Sequence, residues 1–454
     1  MLRLFTRRVR PPGRICPTTW LLLGLGAIGL LAPGAALAAK GANPAPSVIH
    51  GFTITKLANA PKGATNCDDL ARLDAHLFMA CQNMAQSTGG GGNSTIVEYA
   101  DDGTVVNTWS LKDKADGMAG DPLHHRVIVT LNEDGNSHMA TITPSAPAGQ
   151  QVTNYSYSVN PASPSGTGPL HTGGGTDSVS VDATGHVFIS ASYGIAKTGT
   201  AVFKAALNPP TAPGGTGTTT LSPTFLEDAT ATNGGPGGGT QTLKLIDVDS
   251  DAIVPYSSPC FGGQFAIDDQ TAMDLVFASN INAGTGLTVL HTPYGLDDIR
   301  WATTDGGTLY VVDHGPANTG ASALYKVTGP FVAGTAFASN DSIPNQVVTV
   351  DLRNGKLKPF VQNLQTAKGL VYLDASGAEP SLPVGPQPSA SVAAPSTPVA
   401  ASQTKTAGGA PKPATVVKAS ADSDALSTVL AVVAIVLALG LGGYSISRAR
   451  PARP

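Results

Sequence analysis

The sequence has 454 residues, of which 27 are basic and 31 acidic, and its formal net charge is −4. Eight of the basic residues are arginines in two terminal segments, whereas every acidic residue lies between those segments. The central part therefore has 19 basic against 31 acidic residues, a net charge of −12. This balance argues against binding to nucleic acid and against direct adhesion to anionic lipid, because both rely on basic patches.

Residues 1–38 have the pattern of a secretory signal peptide. Five arginines precede the apolar run TWLLLGLGAIGLLAPGAALA, which ends in the small residues typical of a cleavage site, Ala36 to Ala38. The pair Arg7 and Arg8 lacks the residues that follow it in a twin-arginine signal. General secretion is therefore predicted.

Export determines the state expected for the cysteines. Cys16 leaves with the signal peptide, and three cysteines remain. Cys67 and Cys81 lie near the open end of one predicted hairpin, and an oxidising compartment favours a disulfide between them. Cys260 is then expected to be unpaired, as a buried and inert thiol.

Residues 39–377 contain a repeated strand pattern. Each unit has a short alternating strand, a turn rich in Asp, Gly or His, and usually a more continuous apolar strand. The units begin at Asp69, Asp116, Asp177, Gly263, Asp298 and Gly369. A spacing of about 35 to 60 residues with this internal pattern predicts the blades of a β-propeller.

The hydrophobic pattern supports this all-β fold. Middle strands of a blade are buried on both faces, and the runs LFMA, VIV, VFIS, LVFA and LYVV are continuously apolar as that burial requires. Inner strands are crowded near the axis and favour small residues, found at Ala71, Ala119, Ser180, Ala266 and Ala302.

We predict a β-propeller of seven blades, or alternatively six; an array of β-sandwiches is the competing fold. Two strand-rich segments lack a clear unit start. Thr218 to Pro255 is expected to form an irregular blade, and Val48 to Leu57 to complete the last blade.

The segment DGGTLYVVDHGPANTGASALYKV at 305–327 resembles an NHL-type repeat, in which a Tyr-Val-x-Asp strand end precedes an Asn-containing turn. The strand ends at 80–82 and 190–192 depart from this pattern. The resemblance implies a propeller but no single activity. Related gluconolactonase-like and streptogramin-lyase-like propellers carry metal-assisted chemistry, while many others only bind partners.

The aspartates of the repeat form two groups. One group lies at the turn after the inner strand, where an Asp side chain bonds to the backbone and has a structural role; it comprises Asp74, Asp121, Asp182, Asp268 and Asp374. The other group opens the inner strand and comprises Asp69, Asp116, Asp177 and Asp298, with Asp68 and Asp297 as neighbours.

Inner-strand starts converge at the mouth of the central channel of a propeller. Asp69, Asp116, Asp177 and Asp298 are therefore candidate ligands of Ca²⁺ or Mg²⁺, because clustered carboxylates repel one another and recruit a cation. In the alternative interpretation, each aspartate only caps its own connecting loop.

Two histidines are candidate catalytic bases. The phrases LHTGGGTD at 170–177 and LHTPYGLDD at 290–298 place His171 and His291 a few residues before Asp177 and Asp298. Histidine beside a carboxylate serves as a base or a ligand. Descent of the repeat explains the shared phrase equally well.

Other motifs indicate no chemistry. The DVDSD at 247–251 resembles the start of a calcium loop but has Ala252 where an EF-hand needs glycine, and it is interpreted as an acidic turn. The glycine-rich loops lack the Lys-Ser/Thr of a phosphate-binding loop, and no suitable Gly-x-Ser-x-Gly motif is present.

The C-terminal part is predicted to tether the propeller to a membrane. Residues 378–424 are rich in Pro, Ala, Ser and Thr and are predicted to form a disordered stalk. Residues 425–446 contain no charge and are long enough for a transmembrane helix. The arginines of 447–454 then mark a cytoplasmic tail by the positive-inside tendency.

These features favour a single-pass protein of a bacterial cell envelope with its propeller outside the plasma membrane. We expect a surface-displayed module that binds an envelope protein or a glycan through its acidic face. The alternative is an exported hydrolase or lyase, lactonase-like, with a divalent cation at the channel mouth. A structural envelope protein would have no saturable ligand.

Overall fold

The computed structural model describes residues 44–159, 174–192, 199–212, 214–315 and 322–375. These residues form 27 strands and one short 3₁₀ helix, Ile281–Ala283, so the predicted all-β class is confirmed. Within this part of the chain, no helix has the length and hydropathy needed to cross a membrane. The predicted signal peptide, stalk, transmembrane helix and tail lie outside the described residues.

The strands in chain order are β1 (Ser47–Val48), β2 (Thr53–Asn59), β3 (Cys67–Leu73), β4 (His76–Cys81), β5 (Asn93–Tyr99), β6 (Val105–Lys112), β7 (Ala115–Asp121), β8 (Arg126–Leu131), β9 (His138–Ile142), β10 (Val152–Tyr157), β11 (Gly175–Val181), β12 (Val187–Ser192), β13 (Thr200–Asn208), β14 (Gly217–Leu226), β15 (Thr230–Asn233), β16 (Thr240–Thr242), β17 (Val248–Ile253), β18 (Phe265–Asp269), β19 (Asp274–Asn280), β20 (Thr285–His291), β21 (Ile299–Trp301), β22 (Thr308–Asp313), β23 (Ala323–Thr328), β24 (Ala336–Asn340), β25 (Gln346–Asp351), β26 (Lys356–Gln362) and β27 (Ala367–Leu373).

Four blades are antiparallel meanders that follow the chain. Blade one is β3 to β6, blade two β7 to β10, blade three β11 to β14 and blade four β17 to β20. Blades two and three also join at their outer edges, because β10 pairs with β14 in parallel. β15 and β16 extend blade four beyond β20.

Blades five and six are interleaved in the sequence. Blade five consists of β21, β24, β25 and β26, with β1 at its edge, whereas blade six consists of β27, β22, β23 and β2. The chain thus leaves blade five after its first strand, forms the two middle strands of blade six and then returns. The prediction that Val48 to Leu57 completes the last blade is confirmed, because β2 pairs with β23.

The predicted hairpin that begins at Asp298 is wrong. β21 pairs with β24 and β22 pairs with β27, so the Asp-Gly-Gly turn between them passes from one blade to the next. Gly306 and Gly307 allow this crossing with φ angles of 75° and 90°. Periodicity identified both strands but carries no information on which strand pairs with which.

The described residues form six blades, the alternative count, and not seven. The segment Thr218 to Pro255, expected to be an irregular blade, is divided among β14 in blade three and β15 to β17 in blade four. The unit at Gly263 supplies the second and third strands of blade four, because β17 is the first.

The first strands of the six blades lie side by side around one axis, which is the arrangement of a β-propeller. Two glycines permit this crowding. A Cβ on Gly117 would lie 2.4 Å from the Asp177 carbonyl oxygen, and one on Gly369 would lie 2.7 Å from the Leu70 nitrogen. The five predicted apolar runs are buried, and apolar clusters such as Phe188 against Phe265 fill the space between blades.

The predicted Cys67–Cys81 disulfide is present and links the start of β3 to the end of β4. The expectation of an unpaired thiol at Cys260 is wrong, since no free cysteine occurs among the described residues. Cys260 is buried, as expected.

Candidate functional site

Carboxylates converge where the first strands begin. A small cavity of about 20 Å³ is lined there by a group that we call the acidic cluster: Asp68, Asp69, Asp116, Asp177, Asp249, Asp297 and Asp298. The four predicted cation ligands, Asp69, Asp116, Asp177 and Asp298, are therefore brought to one place. The strand starts meet because the inner strands surround a common axis, and the starts of blades one and five each supply two adjacent carboxylates.

Asp249 belongs to the acidic cluster although the sequence did not indicate it. The DVDSD segment, interpreted as a turn, forms most of β17, the first strand of blade four. Its polarity resembles that of a loop because two of its alternate residues, Asp249 and Asp251, face the axis and its cavities. Asp249 accepts a hydrogen bond of 2.9 Å from Gln270 Nε2, and burial raises the pKa of Asp249 well above its usual value.

Lys368 neutralises one part of the cluster. Its Nζ lies 3.1 Å from Asp68 Oδ1 and 3.1 Å from Asp341 Oδ2, and it also bonds Asp297. Burial lowers the pKa of Lys368, but the three carboxylates outweigh this effect and hold that pKa well above its usual value. Lys368 is thus a fixed charge that joins three separate segments of the chain.

Arg300 neutralises a second part. Its Nη1 lies 2.6 Å from Asp298 Oδ1, and the same carboxylate accepts hydrogen bonds of 2.7 Å from Ser250 Oγ and 2.6 Å from Leu370 N. The Asp69 carboxylate accepts hydrogen bonds from the backbone N–H groups of Leu70, at 2.6 Å, and of Met118. Both carboxylates are therefore committed to partners within the protein.

The third part has carboxylates in excess. One oxygen each of Asp116, Glu133 and Asp177 lies within 4.8 Å of the others, and we call these residues the carboxylate triad. Lys114 bonds Glu133 and lies 3.6 Å from Asp116 Oδ1. Asp116 Oδ2 is buried without a hydrogen-bond partner among the described residues.

Burial and repulsion oppose the ionised form of two members of the triad. Burial raises the pKa of Asp177 well above its usual value, and repulsion from Glu133 and Asp247 adds to this effect. Burial also raises the pKa of Glu133 despite the opposing Lys114. A bound divalent cation would favour the ionised form of these groups, because it adds positive charge next to them.

The predicted ligand set is thus divided. Asp116 and Asp177 join the carboxylate triad, whereas Asp69 and Asp298 are held by backbone amides and Arg300. Glu133 was missed because it lies in the loop after β8, outside the repeat pattern. Its position in the segment LNEDG, directly after a buried strand end, is the one signal that could have indicated it.

The turn aspartates have the structural role predicted for them where the structure describes their bonds. Asp182 Oδ1 accepts hydrogen bonds of 2.9 Å from the backbone N–H groups of Thr184 and His186. Asp121 bonds Arg126 at 2.9 Å. Asp268 is an exception, because it lies inside β18, where its carboxylate is buried and its pKa is raised well above the usual value.

The candidate bases are not gathered at the cluster. His291, at the end of outer strand β20, contacts Asp274 Oδ1 at 2.5 Å and Gln241 Oε1 at 3.2 Å. None of the described contacts joins it to Asp298. His171 lies outside the described residues, so its role stays a prediction. His314 is closer to the cluster, since Asp68 and Lys368 both act on its pKa, which burial lowers.

Comparisons with known proteins do not assign the chain to a family. No family model matches the chain, and no curated protein matches it. The NHL-type resemblance therefore stays a prediction.

Several solved structures are similar at low identity. Hydrazine synthase from Kuenenia stuttgartiensis has 11% identity and a TM-score of 0.33 over 64% of this chain and 68% of that chain. Virginiamycin B lyase from Staphylococcus aureus has 8% identity and a TM-score of 0.35 over 70% and 99%. A luciferin-regenerating enzyme has 10% identity and a TM-score of 0.28 over 62% and 98%. At such scores the propeller assignment rests on the strand pairing of this chain, and activity is not carried over.

Proposed function

We propose that the chain is an exported propeller, displayed at the outer face of a bacterial plasma membrane, that binds a divalent cation at its acidic cluster and acts as a binding module. The carboxylate triad carries this proposal. Asp116, Glu133 and Asp177 present oxygens within 4.8 Å of one another, the spacing that one ion can bridge.

The chemistry of the donors favours Ca²⁺ or Mg²⁺ over softer metals. Every donor in the carboxylate triad is an oxygen, and no cysteine or histidine is part of it. One lysine opposes three carboxylates, so a divalent cation would bring the group close to neutrality. Ca²⁺ tolerates irregular sites of six to eight oxygens better than Mg²⁺ does, and Asp116 Oδ2 is available without breaking a bond.

Burial determines what such a cation could do. Asp116, Asp177 and Asp298 are buried, so a large partner cannot contact these carboxylates directly. A bound cation would instead join the starts of neighbouring blades and hold the loops around the acidic cluster in position. An envelope protein or a glycan would then be bound by the rim of those loops.

The signal-peptide pattern, the proline-rich stalk and the uncharged C-terminal segment support export and display. A disulfide in the body agrees with an oxidising compartment. Residues 1–38, 378–424, 425–446 and 447–454 keep the roles predicted for them from sequence.

A cation-dependent hydrolase or lyase is the second candidate function. It is favoured by the carboxylate triad, because three protein ligands leave coordination positions for water or substrate. In this alternative Asp116 and Asp177 bind the cation together with Glu133, and His171 is the remaining candidate base, because His291 is bonded to Asp274 away from the acidic cluster. It is also the function implied by a gluconolactonase-like resemblance.

Metal analysis tests the first part of the proposal. The full chain is purified with and without a chelator, its metal content is measured, and Tm is followed during titration with Ca²⁺ and Mg²⁺. We expect near-stoichiometric metal whose removal lowers Tm. Glu133→Gln and Asp177→Asn should lose this effect, whereas Asp102→Asn, at an exposed position, should keep it.

Absence of both metal and any Tm shift would reject the cation site. If metal binds, a screen of lactones and esters separates the two candidate functions. Turnover that requires the metal supports the enzyme, and metal binding without turnover supports the binding module.

A further inference from the structure

A second cavity lies on the propeller axis at the far ends of the first strands. Its volume is about 720 Å³, and Arg300 lines both this cavity and the acidic cluster. We call it the axial cavity. Each first strand contributes at least one apolar side chain: Leu70, Met118, Val179, Ile253, Trp301 and Val371. Leu123, which also lines it, is 63% exposed, so the cavity opens to solvent at this end.

The size and lining of the axial cavity are those of a small-molecule site. Such sites have volumes of roughly 300 to 1,000 Å³, mostly apolar walls and a few polar groups that orient the ligand. The acidic cluster, at about 20 Å³, has room for an ion but not for an organic molecule.

Four polar groups on the wall are incompletely hydrogen-bonded: Trp301 Nε1 and Thr303 Oγ1 have no partner among the described residues, and the Asp251 carboxylate has only weak contacts with the hydroxyls of Ser178 and Ser180. Asp251 is 2% exposed and Trp301 is 4% exposed. Buried polar groups in folded proteins are nearly always hydrogen-bonded. Four incompletely bonded groups around one cavity therefore indicate an occupant that bonds to them.

The charged groups beside the cavity differ from these four because the protein already pairs them. Arg300 bonds Asp298 at 2.6 Å, and Arg72 bonds Asp101 at 2.5 Å. Asp251 is thus the one buried carboxylate of the wall that has no such bond. The negative charge of Asp251 repels an anionic ligand, and the positive charge of the nearby Arg300 repels a cationic one. The hydrogen-bonding groups that remain on the wall suit a neutral ligand, which donates a hydrogen bond to Asp251 and accepts one from Trp301.

We propose that the axial cavity binds a neutral small molecule with an apolar body and one hydrogen-bonding group, such as a hydroxyl or an amide, which reaches Asp251 and Trp301. This site is separate from the proposed cation site, because it uses the other halves of the first strands. Its occupation requires neither a cation nor display at a membrane.

Fluorescence of N-phenyl-1-naphthylamine tests the proposal. This probe is neutral and apolar and has one N–H donor, and 1-phenylnaphthalene is a matched probe without the donor. Both are titrated into the full chain in chelator-containing buffer, and Val181→Trp is used to fill the cavity at a partly exposed lining position. Val106→Trp is the control, at an exposed position on outer strand β6.

We expect one saturable site per chain, which Val181→Trp removes and Val106→Trp leaves intact. The amine should bind up to about 10-fold more tightly than the hydrocarbon, the value of one hydrogen bond. Asp251→Ala should abolish that preference without lowering Tm at pH 8, because it removes a buried carboxylate that has only weak contacts within the protein. A merely structural Asp251 would instead lower Tm.

Three results would overturn the proposal. Absence of saturable binding would mean a cavity filled with water only. Binding that survives Val181→Trp would place the probe elsewhere on the chain. Equal affinity for both probes in the wild type would show that the four polar groups do not select a ligand. Loss of metal binding would leave all three readouts unaffected, so the two proposals can fail independently.

Discussion

The two ends of the propeller axis are built from the same six strands but differ in charge and in open volume. At the acidic cluster, charges are packed into about 20 Å³, and Lys114, Arg300 and Lys368 neutralise part of them. At the axial cavity, about 720 Å³ is left open and the incompletely bonded groups are polar but mostly uncharged.

The difference follows from where each residue falls along a first strand. In β7, Asp116 lines the acidic cluster and Met118, two residues later, lines the axial cavity. The same succession occurs from Asp177 to Val179 in β11. A register shift interrupts the regular alternation of side chains at both places. A change of residue type within one or two positions thus produces two chemically distinct sites from one ring of strands.

Removal of Lys368 should be the most damaging change at the acidic end. Lys368→Met leaves Asp68, Asp297 and Asp341 without their shared cation, and breaking a buried pair in this way costs about 3 to 5 kcal/mol. Urea unfolding measures the loss. Lys358→Met, at an exposed position of β26, is the control and should change the free energy of unfolding little. Equal effects of both variants would contradict a neutralising role for Lys368.

Asp251 should give the axial end a pH dependence. Burial raises its pKa to about 7, so the folded state holds a proton that the unfolded chain loses near pH 4. Its contribution to stability is complete below pH 4 and is lost as pH rises through 7. The free energy of unfolding should fall by about 1.4 kcal/mol per pH unit over this range, which is on the order of 4 kcal/mol in total.

Unfolding free energies of wild type and Asp251→Asn at pH 4 to 9 check this linkage. The asparagine does not titrate, so the difference between the two proteins should change between pH 4 and 7 and stay constant above. Asp102→Asn, at an exposed aspartate, is the control. Parallel profiles for wild type and Asp251→Asn would show that Asp251 does not hold a proton in the folded chain.

The disulfide should stabilise the acidic end by a similar amount. Cys67 directly precedes Asp68 and Asp69, and its bond to Cys81 closes a segment with a sequence separation of 14. Double replacement with alanine should cost about 3 kcal/mol, by release of conformational entropy in the unfolded chain. Reductant should lower the Tm of the wild type by more than that of the double variant, in which only the bond of Cys260 can be reduced. A decrease of Tm of equal size in both proteins would show that the Cys67–Cys81 bond is not the cause of the lost stability.

Much of this fold could be predicted because most blades are local. In blades one to three the first and second strands are adjacent in sequence, so an alternating strand, a turn and an apolar run identify them together. The starts at Asp69, Asp116 and Asp177 were found in this way. Blades five and six could not be resolved, since their pairing joins strands that are distant in sequence.

The candidate site was predicted in part for the same reason. Carboxylates in register with the repeat were identified, but the residues that decide their chemistry lie outside it. Glu133 is in a loop, and Lys368 lies at the start of a strand whose blade partners precede it. β17 was missed because Asp249, Ser250 and Asp251 give this first strand the composition of a turn. Burial of polar groups depends on the assembled ring, which no local pattern records.

Asp182 should show the smallest effect, and it tests whether the turn aspartates at the axial end are structural. Asp182→Ala removes hydrogen bonds from the backbone of Thr184 and His186 and should cost about 1 kcal/mol. Asp182→Asn keeps an acceptor oxygen and should recover most of that stability. Both variants should retain the chelator-dependent Tm shift expected of the acidic cluster, because Asp182 lies at the other end of β11. Loss of that shift would show that the two ends of the axis are coupled.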